Sequence, residues 1–522
     1  MAQQGAGLPM TSKWDPERLQ KEVEVLKELN TRPFLGRVRG YLSLTGPGWM
    51  QSAMTLGAGS AVASVVAGAF YGYQLLWVQP IAMLMGIAMM SALGNIVLTK
   101  RERAYSIVSR ELHVGLAFLW ALATLVATII WHFPQYGLAG AAMWDAANTL
   151  GISNPVDASG EVTSRLPEYL VKFAVGFAVL FVSINVVWSY GSKPKGIKIY
   201  ETFLRWVIRL VILAFLIVVV RQFMRGGLDV VGIIKGFTTF QIPEENRQQA
   251  ITTILGAIGA AVGINMTFLY PYSILAKGWG PHHKGLARFD LFGSLLLPYV
   301  VLTSLIMIAM ASTLHQPPFG TNLAANPGLT ELTPTDAAQS LAPLLGEYGG
   351  RLIFNLGFFG MACGAITAHM VVCGFTVCEM FGLEYTPGRY KLFSLLPAVG
   401  VLGVVSPAPL WLPIAASAIA FSMLPIAYIV FLILQNKRSY LGDAVGKGLR
   451  RTVFNFILIL AVGMSLIGAY IQLHDRVIKP IQKMWAPPAV EKPADPAPAV
   501  VPGVDTPAVV PEAEQPEAEE SP

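Results

Sequence analysis

The sequence predicts an all-α polytopic membrane protein with about 11 transmembrane helices. Three observations carry that prediction. Hydrophobic residues make up 54% of the 522 residues and charged residues only 13%, with a mean hydropathy of +0.55; an average soluble chain is about one quarter charged. The apolar residues fall into repeated blocks of roughly 20, the length that crosses a hydrocarbon core. Lys and Arg collect in alternate short connections between those blocks, as they do on the cytoplasmic side of membrane proteins.

The first block covers about 40–69 and the second 72–98. The third runs from 114 into the 140s, the fourth covers 167–189, the fifth 202–222 and the sixth 250–276. The seventh covers 289–312, the eighth 351–380, a short ninth 392–405, the tenth 408–434 and the eleventh 452–473. With the N-terminus placed inside, the cytoplasmic loops hold seventeen Lys or Arg, among them Lys100, Arg101, Lys193, Lys277, Arg389 and Lys437. The opposite loop 313–350 has none and 148–167 has only Arg165, whereas 223–249 carries three. The bias places the N-terminus in the cytoplasm, and the odd span count then places the C-terminus outside a bacterial-type plasma (inner) membrane.

Residues 1–36 are polar, with no early apolar core, and form a cytoplasmic N-terminal segment rather than a signal peptide. Within it, Trp14 to Leu29 reads as a charged surface helix. Residues 37–473 form the transmembrane domain and 474–522 the tail. From about Lys483 the tail is rich in Pro, Ala, Val and Glu, a composition that buries no core and predicts disorder. It serves as a tether or as a partner-binding tail.

Net charge is +6, but the basic residues set membrane orientation and no basic stripe alternates with aromatics, so nucleic acid is not an expected partner. The partners are the lipid bilayer and an ion or small-molecule substrate; nothing specifies an oligomeric state. Cys363, Cys373 and Cys378 lie in one apolar segment and read as small packing residues. No phosphate-binding Gly-x-x-x-x-Gly-Lys loop, His-Glu-x-x-His or Gly-x-Ser-x-Gly elbow is present, so neither an enzyme nor an ATP-driven pump is expected, and no cofactor is implied.

Two blocks are interrupted. In the first, Gly46-Pro47-Gly48-Trp49 precedes Thr55-Leu56-Gly57-Ala58-Gly59-Ser60. In the sixth, Gly256 and Gly259 lead to Gly263-Ile264-Asn265 and then Tyr270-Pro271-Tyr272. Small residues of this kind serve close helix packing. They also mark discontinuous helices, tolerated in a membrane only where freed backbone groups meet protein, ligand or water. The first and sixth helices each open a block of five, the pattern of an inverted five-plus-five repeat with a midplane site at the breaks.

Several segments then resemble one family. Gly46 to Trp49 followed by Tyr71 to Trp77 is similar to the opening of the Nramp divalent-metal transporters. Lys198 to Phe215 resembles their fifth helix, Leu341 to Gly364 their eighth and Phe421 to Tyr428 their tenth, so the likeness runs from about 34 to 473. The resemblance implies the amino-acid–polyamine–cation (APC) superfamily fold, alternating access and proton coupling.

The ligand set departs from the family. Its Asp-Pro-Gly-Asn break falls on Gly57, Ala58, Gly59 and Ser60, and only Gly59 matches. Its Met-Pro-His falls on Gly263, Ile264 and Asn265, its later sixth-helix His on Tyr270, and its tenth-helix Gln near Ser417. Its acidic third-helix residues have no counterpart near Trp131-His132-Phe133-Pro134-Gln135. The expected binding residues are thus Thr55, Gly57, Ala58, Gly59, Ser60, Gly263, Asn265 and Tyr270, with neither a carboxylate nor a thioether among them.

Neutral oxygens suit Mn²⁺ or Fe²⁺ poorly, and fit better a Mg²⁺-like ion that keeps part of its water. Small residues at Gly57 and Gly263 would make room for that water. A Gly-rich break also presents N–H groups to a carboxylate, so an amino acid or small organic solute is the alternative substrate. A non-transporting sensor or scaffold is the third reading.

His132 and His369 read either as proton relays or as hydrogen-bonded core histidines. Arg209, on one helix face with Glu201 and Arg205, reads as a gate or as part of an ion pair. Ser417 joins this coupling or gating set through the family's tenth-helix position. Asp145 marks the outer interface, and His282-His283 reads as a solvated pair.

Overall fold

The computed structural model describes residues 16–190, 194–244, 247–315, 332, 337–338, 346–384, 386–405, 411–474 and 479. Among these residues the structure is helical, apart from one isolated bridge between Val156 and Val162. Among the described residues nine helical segments are long and apolar enough to cross a membrane, ten counting one bent pair.

Before the first span, α1 (Pro16–Thr31) and α2 (Phe34–Leu44) form a helical hairpin. Helix α1 is polar, yet Leu26 and Leu29 are buried and Asn30 Oδ1 accepts from Tyr41 Oη at 2.6 Å. Glu22 lies 3.4 Å from His283 Nε2, so α1 docks on the main body through that contact. His283 is accordingly buried and stacks on Trp279 with centroids 5.8 Å apart, whereas the sequence reading left it solvated.

The predicted first span divides into α3 (Pro47–Thr55) and α4 (Ala58–Tyr71), bent by 48°. Gly72 then turns the chain at φ +58°, and α5 (Val78–Lys100) starts six residues later than the predicted second span. A short α6 (Ala104–Glu111) leads into the 36-residue α7 (Val114–Thr149), which carries Pro134 inside it. Proline there removes one backbone bond of the helix.

Helices α8 (Leu166–Tyr190) and α9 (Pro194–Met224) fall at the predicted fourth and fifth spans. A connecting helix α10 (Val230–Thr238) stands within the loop 223–249. The sixth span divides into α11 (Arg247–Ala261) and α12 (Ile264–Ala276). The seventh comprises α13 (Lys284–Leu291), a π-helical stretch Phe292–Leu296 and α14 (Leu297–Thr313). Helix α15 (Glu347–Met380) forms the eighth span and α16 (Pro387–Ser394) opens the ninth.

The ninth span continues as a 3-10 helix, Leu396–Val405, on a glycine face. A Cβ at Gly400 would stand 2.4 Å from His132 Cβ, and one at Gly403 would stand 2.1 Å from Phe133 O. Glycine at these two positions lets the segment press directly on the α7 backbone. Helices α17 (Trp411–Ser422), α18 (Leu424–Asn436) and α19 (Gly448–Leu473) complete the bundle. The tail from about Lys483 lies outside the described residues.

The core is built by α7 packed along α15, α4 against α14, and α11 between α4 and α17. Exposed large apolar side chains concentrate on the outward faces of α8, α9 and α19, such as Phe181, Leu213 and Ile459. An apolar outer surface of that extent suits lipid contact. Cys373 and Cys378 are buried and Cys363 half-buried, all three unbonded to one another.

Candidate functional site

The two interruptions face each other. Gly57 is the N-cap of α4 and Gly263 the N-cap of α12, both in extended conformation and neither with a side-chain cap. Each break therefore frees carbonyls at the end of one half-helix and N–H groups at the start of the next.

The freed carbonyls are met by hydroxyls crossing between the breaks. Ser60 Oγ donates to Thr55 O and, at 3.3 Å, to Ala260 O. Thr55 Oγ1 donates to Ala261 O at 3.1 Å and approaches Met266 Sδ at 3.1 Å. Asn265 Oδ1 accepts from Met266 N at 2.9 Å, which satisfies one N–H of α12 from within the break. Thr55, Ser60 and Asn265 thus spend their protons or one lone pair on the breaks and retain oxygen lone pairs for a guest.

These residues line one cavity, together with Met54, Gly59, Trp131, Gln135, Gly259, Ala260, Gly263, Met266 and His369. It admits about one water-sized guest. Among the described residues no carboxylate lines it. The sequence comparison also left the site without a thioether, but Met54 and Met266 supply two at neighbouring positions. Sequence reasoning passed over both because it followed the family's register and stopped one residue short on each side. Gln135 lies one turn from Trp131 on the same face of α7, a spacing readable in the sequence once α7 is known to reach the site.

The room expected at the two glycines is already filled. A Cβ at Gly57 would stand 2.8 Å from Ala365 Cβ, and one at Gly263 would stand 2.5 Å from Asn265 Oδ1. Gly256 and Gly259 serve helix packing, with Ile414 and Ser417 O against them.

The other expected residues are distributed as follows. Gly59 packs under the Trp131 indole, and Ala58 opens α4 beside it. His369 lines the cavity, with its ring 5.3 Å from that of His132, whose Nε2 lies 3.2 Å from Ile366 O. Both rings are buried; the His132 ring also meets the Pro397 backbone, and among the described residues the His369 Nδ1 is without a partner. Ser417 does not line the cavity; its hydroxyl donates to Pro413 O at 2.7 Å within α17. Arg209 is exposed on α9, 5.5 Å from the Trp206 ring, away from the breaks. The Glu201 side chain lies outside the described residues. Tyr270 lines a different cavity, between α5, α12 and α13.

Two further polar devices were not read from the sequence. Asp290 accepts from Gly46 N at 3.1 Å, Gly48 N at 2.6 Å and Ser294 Oγ at 2.9 Å. The Gly-Pro-Gly motif is thereby explained, because a carboxylate from α13 caps the N-terminus of α3. Asp145 is buried rather than interfacial, bound to Arg351 and, at 2.6 Å, to Asn355 Nδ2. It ties α7 to α15.

A helical bundle broken at two facing points, with a small polar cavity between them, is the architecture of the LeuT-like, APC-type membrane transporters. Residues 48–471 match the family model described as natural resistance-associated macrophage protein-like, and the chain belongs to this Nramp family. It is 22% identical over 444 residues to the divalent metal cation transporter MntH of Acidiphilium cryptum, covering 82% of this chain and 90% of that one. It is 23% identical over 421 residues to the protein of the same description from Deinococcus radiodurans, covering 78% and 85%. Among solved structures, a variant of the Eremococcus coleocola manganese transporter superposes with a TM-score of 0.61 at 15% identity, covering 84% of this chain and 88% of that one. MhsT in complex with L-phenylalanine superposes with a TM-score of 0.52 at 13% identity, covering 81% and 98%. At such identities these superpositions establish the fold.

Proposed function

We propose that this protein is a secondary transporter that carries a divalent cation through the cavity between its two broken helices by alternating access. One observation carries the reading: the Gly57 and Gly263 breaks open on a single buried cavity and are cross-linked there by Ser60 and Thr55. Family membership supports a metal ion as cargo, because the curated relatives are described as divalent metal cation transporters.

A Mg²⁺-like ion suits the oxygens of Thr55, Ser60, Gln135 and Asn265, joined by carbonyls at the breaks. With no carboxylate to offset its charge, such an ion keeps part of its water, since bare burial of a charge is very costly. The cavity holds about one water-sized guest, so a partly hydrated ion passes only as the half-helices swing apart. The buried His132–His369 pair, reaching the cavity through His369, is placed to take up or release a proton as the cargo passes.

A second reading has its own support. Met54, Met266 and His369 are soft donors and favour a transition-metal ion over Mg²⁺.

Calorimetric titration of the purified protein with Mg²⁺, Mn²⁺ and a mixed amino-acid panel separates these. Saturable Mg²⁺ binding with silence toward Mn²⁺ supports the first reading. Saturable Mn²⁺ binding moves the assignment to the thioether and imidazole donors. Binding of an amino acid alone overturns the cation transporter.

A further inference from the structure

Tyr270 sits at a cavity that the transport reading does not use. The space lies between α5, α12 and α13, and its polar lining is Ser91, Asn95, Tyr270, Lys284 and Arg288. It contains two cations, three neutral polar groups and no carboxylate. Lys284 Nζ donates to Thr99 Oγ1 at 2.7 Å and Arg288 stands at the rim. Neither forms an ion pair among the described residues. Arg450 adds further positive potential to Arg288.

The nearest opposing charge is committed elsewhere. Asp290 acts electrostatically on Tyr270, but its oxygens accept from Gly46 N, Gly48 N and Ser294 Oγ. Tyr270 itself is fully buried, and among the described residues its hydroxyl is without a partner. A Cβ at Gly94, on the cavity wall, would stand 3.3 Å from that hydroxyl. A buried hydroxyl left unmade costs about 1–3 kcal/mol. Two cations with no carboxylate among the described lining residues add a repulsion that a bound anion would remove.

We infer that this cavity is a binding site for a chloride-sized anion, held by the Tyr270 hydroxyl, the Arg288 guanidinium and the Lys284 ammonium. The groups are donors only, or free to act as donors, which selects an acceptor. A metal cation is repelled by the same pair of charges. The cavity is about the size of one water, so it takes at most a monatomic anion and leaves no room for the four oxygens of phosphate. Because the site is formed by α12 and α13, the two helices that meet the sixth-helix break and cap the first, an anion there would fasten both broken helices. The inference is independent of which cargo occupies the central cavity.

The test is thermal unfolding of the purified protein in potassium chloride, gluconate and phosphate at matched ionic strength, with line broadening of the chloride NMR signal as a second readout. The unfolding midpoint should rise saturably in chloride relative to gluconate, and the wild-type protein should broaden the chloride signal. Tyr270→Phe and Arg288→Gln should each weaken the apparent chloride affinity by about tenfold, the effect of losing one hydrogen bond to a charged group. Equal midpoints in chloride and gluconate with an unbroadened signal would overturn the site. So would a chloride shift that survives in both variants, which marks a general salt effect, or a shift in phosphate alone, which marks an oxyanion site. The wild-type broadening decides the matter even where a variant does not fold.

Discussion

The two helix breaks begin alike and are held differently. Both start a half-helix from an extended glycine without a side-chain cap. The sixth has one bond of its own, Asn265 Oδ1 accepting from Met266 N, while its α11 carbonyls at Ala260 and Ala261 face the hydroxyls of Ser60 and Thr55 from the first. The first has one of its own, Ser60 Oγ to Thr55 O, and Asp290 caps its α3 from a third segment. The hydroxyls that cross from the first break, with the Asp290 cap, tie the first helix to the sixth and seventh.

The largest disturbance to that arrangement is Gly57→Asp, which restores the family's carboxylate. Its Cβ meets Ala365 Cβ at 2.8 Å and Met54 O at 3.0 Å. Overpacking costs about 1–3 kcal/mol, and an unpaired buried carboxylate adds to it. The single variant should lose most of its folded yield by size-exclusion chromatography. Adding Ala365→Gly should recover the fold and create Mn²⁺ affinity measurable by calorimetry. A well-folded single variant would show that α15 yields at Ala365.

Ser60→Ala comes next. It leaves the Thr55 and Ala260 carbonyls without that donor, at about 1–3 kcal/mol, so transport should fall roughly tenfold with a lower unfolding midpoint. Asn265→Ala removes a cap confined to its own break, at about 0.5–2 kcal/mol. Its effect on thermal stability should be the smaller of the two. The reverse ranking would show that the hydroxyls crossing between the breaks matter less than the bond inside one of them.

The smallest effect concerns α1. Partial burial raises the Glu22 pKa, but the hydrogen bond and charge of His283, with Lys277 and Arg18, outweigh it and hold the carboxyl below its ordinary 4.5. A carboxyl depressed in the folded state contributes stability that is present above its unfolded value and lost as pH falls through the folded one. Hydrogen exchange in α1 should therefore quicken below about pH 4.5. Glu22→Gln should flatten that dependence.

Most of the bundle was legible in the sequence because spanning a membrane demands long apolar blocks, and those are countable. The breaks were legible at Gly57 and Gly263 because only small residues leave a backbone free to turn there. The thioethers were not, because the family's register pointed to Gly263 while Met266 reaches the cavity from the next turn. Tyr270, Ser417 and Arg209 were assigned to the transport path by position in the chain, and the packing of α12, α17 and α9 places each away from the central cavity. Asp145 was read as an interfacial residue and Asp290 was passed over, because their partners lie 206 and 244 residues away in the chain.

The most direct test of passage through the breaks is ion flux across the membrane. Purified protein carrying Ser60→Cys, reconstituted in liposomes, would be assayed for Mg²⁺ and Mn²⁺ uptake before and after thiol modification. Uptake should be reduced but measurable before modification, since a thiol donates more weakly than the hydroxyl, and stop after it, with wild-type uptake unaffected by the reagent. Unchanged uptake by the fully modified variant would show that the ion does not pass between the two broken helices.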